Sequence, residues 1–128
     1  MADNKPPKIL VITLGEATLD LVVPWAQAGV LPTFKRLMDT GAWGPLQSQP
    51  PLITPQLWGT LVTGTNPGRH GAFDFWQRGP DGKFREINGA ALKQPAIWRL
   101  LSDAGIDCGI VNLPFTYPPQ PIRGFMIA

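Results

Sequence analysis

The first pattern along the chain is Lys8-Ile-Leu-Val-Ile-Thr-Leu14, an apolar, partly β-branched run that ends at Gly15. A run of that kind predicts a strand covered on both faces, as in a parallel sheet. From Thr18 to Ala28 the spacing turns helical, with Leu21, Trp25 and Ala28 on one face and Gly29 as the stop. Pro24 inside that stretch predicts a kink or a restart. Pro32 opens a second helix, with Phe34, Leu37, Met38 and Gly41 at helical intervals. Trp43 to Gln47 reads as a short strand. Thr54-Pro55 then reads as an N-cap followed by proline at the first helical position, with Leu57, Trp58, Leu61 and Val62 as the inner face and Gly64 as the end. Asn66-Pro67-Gly68 is a turn. Two short runs, 73–78 and 83–87, flank Gly79-Pro80-Asp81-Gly82 and predict an exposed hairpin, an insertion over 79–90. Pro95 opens a last helix carrying Ile97, Leu100, Leu101 and Ala104 on one stripe. Asp107 to Leu113 is a second buried strand, and Gly124 to Ala128 begins another apolar segment.

Strands that alternate with helical crossovers predict an α/β fold, a layered sandwich with a mostly parallel central sheet and helices on both faces. Within it, residues 8–14 and 107–113 are expected as neighbouring parallel strands. The 128 residues suit one domain, 1–128. The chain stops inside an apolar run, which reads as the incomplete first part of a longer protein. An open apolar edge there predicts self-association.

Composition narrows the classes. Hydrophobic residues make up 44% and charged residues only 16%, which excludes a disordered polyampholyte. The net charge is +2, and the basic residues form no stripe, so no nucleic-acid partner is expected. No run approaches the roughly 18 apolar residues of a membrane helix, and the N-terminal stretch does not resemble a signal peptide. The single cysteine, Cys108, excludes an internal disulfide and fits a reducing, cytoplasmic location. It reads as a buried structural thiol. The tryptophans at 25, 43, 58, 76 and 98 fall mostly on apolar helix faces and are expected in the core. The cluster Phe73-Asp74-Phe75-Trp76 reads instead as a pocket lining or a partner contact.

Open α/β sheets bind ligands beyond the carboxyl ends of their strands. That rule selects Gly15-Glu16, directly after the first run, and Thr54. An N-cap hydroxyl sits in the positive field of its helix, where a phosphate can be held and an alkoxide favoured; alternatively, Thr54 simply caps the helix. His70, the only histidine, reads as a turn residue within Gly68-Arg-His-Gly71. Glu16, Asp20 and Asp74 are scattered carboxylates, and Gly64-Thr-Asn-Pro-Gly68 lacks the lysine of a phosphate-binding loop.

Four segments together resemble a known family. They are Lys8 to Asp20, Gly29-Val-Leu-Pro-Thr-Phe-Lys-Arg-Leu-Met-Asp-Thr-Gly41, Pro51-Leu-Ile-Thr-Pro-Gln-Leu-Trp-Gly-Thr-Leu-Val-Thr-Gly64 with its continuation to Gly71, and Asn112-Leu-Pro-Phe-Thr-Tyr-Pro-Pro119. In this order they resemble the N-terminal part of the type I phosphodiesterase/nucleotide pyrophosphatases of the alkaline phosphatase superfamily. The resemblance implies an alkaline-phosphatase-like fold and hydrolysis of a small phosphodiester or nucleotide pyrophosphate. It also implies two divalent metal ions, zinc above all, and a threonine nucleophile matching Thr54, which touches metal as well. The family's metal-binding Asp-Gly pair matches Gly15-Glu16 here, so the carboxylate has either moved to Glu16 or been lost. The remaining ligands lie downstream in the family, so this chain alone is expected to bind no metal stably and to be inactive. The rival reading is a non-catalytic α/β remnant that binds a phosphorylated ligand or a protein.

Overall fold

The computed structural model describes residues 8–128; the stretch read for a targeting signal lies almost wholly outside them. The chain divides into two units, 1–47 and 48–128.

The described part of the first unit holds two helices, α1 (Leu19–Gln27) and α2 (Pro32–Thr40). Thr18 caps α1 by accepting the Asp20 N–H at 3.3 Å. The helix runs through Pro24 without a restart. Proline removes one N–H and crowds the carbonyl four residues back; both residues concerned, Pro24 and Asp20, are exposed, so water can serve the orphaned oxygen. Pro32 starts α2 as its first helical residue, and Lys35 pairs with Asp39 one turn on at 2.7 Å. An apolar cavity of about 320 Å³ lies among Leu14, Val22, Phe34, Met38 and Trp43.

The strand expected over 8–14 is not formed. Ile9, Leu10, Val11, Ile12 and Leu14 are all more than half exposed. A lone strand satisfies none of its backbone groups, so an apolar run without a partner ladder stays irregular. Trp43 to Gln47 is likewise irregular and exposed, for the same reason.

The second unit is a small α/β arrangement. It contains α3 (Thr54–Thr63), α4 (Pro67–His70), β1 (Trp76–Arg78), β2 (Phe84–Glu86), a 3₁₀ turn (Gly89–Ala91), α5 (Ile97–Asp103), β3 (Cys108–Val111) and β4 (Gly124–Ile127). β1 and β2 form an antiparallel hairpin in which Trp76 faces Glu86 and Arg78 faces Phe84. Arg85 clasps the turn by a two-toothed bond to Asp81, at 3.0 and 2.6 Å, and this holds the Asp81 carboxyl below its usual range. β3 and β4 pair in parallel, Cys108 beside Gly124 through Val111 beside Ile127. A parallel pair needs a crossover of about a dozen residues; here it is the Pro-rich loop 112–123 rather than a helix.

The core of this unit is Val62, Ala96, Trp98 and Ile110, with Leu92, Cys108, Leu113 and Phe115 packed against it. Cys108 is half-buried, its thiol directed at the Trp98 carbonyl. On α5 the expected stripe is displaced: Ile97 and Leu100 are about half exposed, and Trp98 is the buried residue. One indole fills the space that several aliphatic side chains would share, and its N–H reaches Gln120 Oε1 at 3.4 Å. Burial fails for three of the other four tryptophans. Trp25, Trp43 and Trp76 are all about half exposed.

Candidate active site

Helix α3 begins because Ile53 is extended (φ −104°, ψ 120°) and its carbonyl accepts two amides, Gln56 N–H at 2.9 Å and Leu57 N–H at 3.1 Å. Pro55 adds a pre-set φ and removes a donor that the first turn would otherwise leave unpaired. Thr54 is therefore the first helical residue and Ile53 the cap, one position earlier than the sequence pattern indicates. The shift has a chemical consequence. A capping threonine folds its oxygen back onto an amide two or three residues on. Thr54 makes no such bond, and among the described residues its hydroxyl has no hydrogen-bond partner. Its side chain is exposed, while the next two residues, Pro55 and Gln56, are buried. A free hydroxyl thus stands on an anchored turn.

The anchoring comes from residues that follow α4. Gln56 Nε2 donates to the Phe73 carbonyl at 2.8 Å. His70, fully buried, lies with its ring against Gly59. A Cβ at position 59 would come within 2.5 Å of Cε1 and 2.7 Å of Nδ1, so only glycine admits the imidazole. His70 Nδ1 accepts the Ala72 N–H at 3.1 Å, which leaves the proton on Nε2, 3.2 Å from Thr60 Oγ1. Burial lowers the imidazole pKa, opposed in part by a hydrogen bond to the Gln56 backbone.

The expected inner face of α3 is accordingly corrected. Pro55, Gln56, Gly59 and Val62 are buried, whereas Leu61 is half exposed and Leu57 and Trp58 are half-buried. His70 and Gln56 are the residues that sequence reasoning missed. Gly59 was the available signal, because a glycine inside an apolar helix gives up about 1 kcal/mol against alanine and marks a close approach.

Glu16 belongs to the other unit. It sits exposed in the turn Gly15-Glu16 with φ 60°, a left-handed conformation rare outside glycine. Asp20 sits beside the Thr18 cap, and Asp74 Oδ1 accepts the Phe75 N–H at 2.7 Å. Among the described residues no three His, Cys, Asp or Glu side chains gather as a metal centre. None of the described helices is long and apolar enough to cross a membrane. A separate cavity of about 390 Å³ lies among Lys93, Gln94, Trp98, Arg99 and Gln120, and Thr54 is not part of it.

Comparison with protein families matches residues 9–126 to the family described as type I phosphodiesterase / nucleotide pyrophosphatase. Neither the curated proteins nor the solved structures give a match.

Proposed function

The chain belongs to the type I phosphodiesterase/nucleotide pyrophosphatase family, and from that premise we propose that it supplies Thr54 as the nucleophile of a phosphodiester or nucleotide pyrophosphate hydrolase. The observation that carries this reading is the unengaged Thr54 hydroxyl at the first residue of an anchored helix. Its oxygen does no capping work, so it is available to a substrate. In an in-line attack, Thr54 Oγ forms a bond to phosphorus while the bond from phosphorus to the leaving oxygen breaks. The hydroxyl proton passes to water, and the departing oxygen takes up a proton. Water then attacks the phosphothreonine, which restores Thr54 and releases a phosphate monoester. The positive end of α3 favours the developing charge.

The family is typically metal-dependent. The described residues do not fit two zinc ions: no three ligating side chains gather, and both His70 nitrogens are engaged within the protein. Glu16 is the one carboxylate we assign toward a metal ion, and the chemistry derived above does not run through it. The parallel pair β3–β4 supports placement in the family's layered sandwich, with the hairpin over 79–90 as an insertion on it. A cytoplasmic location rests on the single thiol alone.

A second reading, a non-catalytic remnant that holds a phosphorylated ligand, is supported by the isolation of Glu16, an exposed carboxylate with no two further ligating side chains gathered around it among the described residues. Turnover of an aryl phosphodiester by the protein, with divalent metal supplied, separates the two. Loss of a nucleophile removes several orders of magnitude of rate, so Thr54→Ala should abolish turnover and leave the fold intact. Undiminished turnover in Thr54→Ala eliminates the nucleophile assignment. A wild-type protein that binds phosphate esters without cleaving them supports the remnant.

A further inference from the structure

Resting on the reading of Thr54 as nucleophile, we propose that His70 is a positioning residue, a buried imidazole that clamps the first two turns of α3 onto the segment after α4. The ring is fully buried, and its two nitrogens serve two different elements. Nδ1 accepts the amide of Ala72, itself fully buried, and Nε2 meets Thr60 on the second turn of α3. The ring face lies on Gly59, between those contacts. Gln56, on the same turn as Thr54, reaches the Phe73 carbonyl, and Lys93 N–H binds the His70 carbonyl at 3.0 Å. Residues 70–73 therefore grip α3 at 56, 59 and 60.

A nucleophile displaced by about 1 Å loses rate by orders of magnitude, so the platform matters as much as the hydroxyl. The clamp also depends on the charge state of the ring. α3 presents only uncharged groups to it, Gln56, Gly59 and Thr60. The charged side chain packed on this segment is Lys93, whose methylenes lie over Gly71. No carboxylate stands among these groups to stabilise an imidazolium. Protonation would put an N–H on Nδ1 facing the Ala72 N–H, donor against donor in a dry site.

The chain has one histidine, so its imidazole gives a single titrating NMR signal. Amide exchange in the full chain supplies the other readout, with Leu57 to Leu61 compared against Ile110 in β3. In the wild type, α3 protection should fall about tenfold, the order expected for a buried donor left unpaired, in step with the histidine titration, while Ile110 falls less, only as far as global stability does. His70→Leu keeps the bulk and loses both hydrogen bonds; it should lower α3 protection similarly at neutral pH and abolish the pH step. His70→Asn restores an acceptor for Ala72 N–H and should recover part of the loss. In turnover assays His70→Leu should lower kcat and leave KM near its wild-type value. Equal loss of protection in α3 and β3, or no loss in either, overturns the proposal, as does unchanged kcat in His70→Leu. The wild-type pH series gives the answer even if a variant does not fold. Thr54→Ala should leave α3 protection unchanged, so turnover that survives it sinks the nucleophile reading and leaves the clamp standing on exchange.

Discussion

Gly59→Ala is normally a favourable substitution, because alanine in a helix interior gains about 1 kcal/mol over glycine. In α3 the sign should reverse. The added methyl would lie 2.5 Å from Cε1, 2.7 Å from Nδ1 and 3.1 Å from Nε2 of His70. Nor can the ring swing away as the end of a flexible chain would. It is fully buried, held at Nδ1 by Ala72 and at Nε2 by Thr60. Overpacking of this kind costs about 1–3 kcal/mol, and a broken imidazole bond adds about 1 kcal/mol. Against the helical gain, the net is a loss of about 1–3 kcal/mol. Urea unfolding followed by the fluorescence of buried Trp98 measures it, and thermal unfolding should show Tm falling by several degrees, since about 1 kcal/mol moves a domain of this size by about 3–5 °C. The partner test is a double-mutant cycle. His70→Asn makes room, so Gly59→Ala should cost at least about 1 kcal/mol less in that background, a coupling typical of touching residues. A Gly59→Ala protein more stable than wild type, or two changes that simply add, would refute the packing of ring on glycine.

Two further outcomes follow from particular side chains. The lowered pKa of His70 means that the unfolded chain binds a proton more readily than the folded one, so stability is complete above about pH 6.5 and is lost as pH falls through the imidazole's depressed folded value; urea midpoints across pH 4.5 to 8 should show this decline in the wild type and not in His70→Leu, and a wild-type midpoint that rises on acidification contradicts it. At the left-handed Glu16, Glu16→Gly should stabilise by about 1 kcal/mol through relief of backbone strain, whereas Glu16→Gln should weaken any zinc binding measured calorimetrically, and affinity indifferent to both changes would show that this turn does not touch metal.

Local signals were legible where chemistry acts within one turn. Pro32 and the Thr54-Pro55 pair marked helix starts because proline's fixed φ suits the first turn. Gly64 marked the end of α3 because it takes the left-handed conformation, φ 66°. The Gly79 to Gly82 turn marked the hairpin for the same kind of reason. The family, too, was legible, since each of its four motifs is a contiguous segment, and the family match covers residues 9–126. What failed were the readings that need a partner. Residues 8–14 have the composition of a strand, but composition supplies no ladder, and the run stays irregular.

The site divides along the same line. Thr54 could be picked out from the sequence alone, because helix entry and motif spacing both point to it. Whether its hydroxyl is spent on capping depends on the dihedral angles of Ile53 and Thr54, a matter of one residue in register that no periodicity resolves. The faces of α3 and α5 were beyond reach for a related reason. Helical spacing groups residues into stripes, but the choice of the buried stripe belongs to whatever packs against it. For α5 that was the room for one indole at Trp98; for α3 it was the His70 imidazole, which wants glycine beneath it and hydrogen-bond partners at both nitrogens. The sequence determined where helices begin and end and which family's motifs the chain carries, since these rest on neighbours along the backbone. Only the tertiary structure decided which side chains are buried and where their polar atoms find partners, because those depend on residues brought together from 10 or 17 positions away, as Thr60 is to His70 and Gln56 to Phe73.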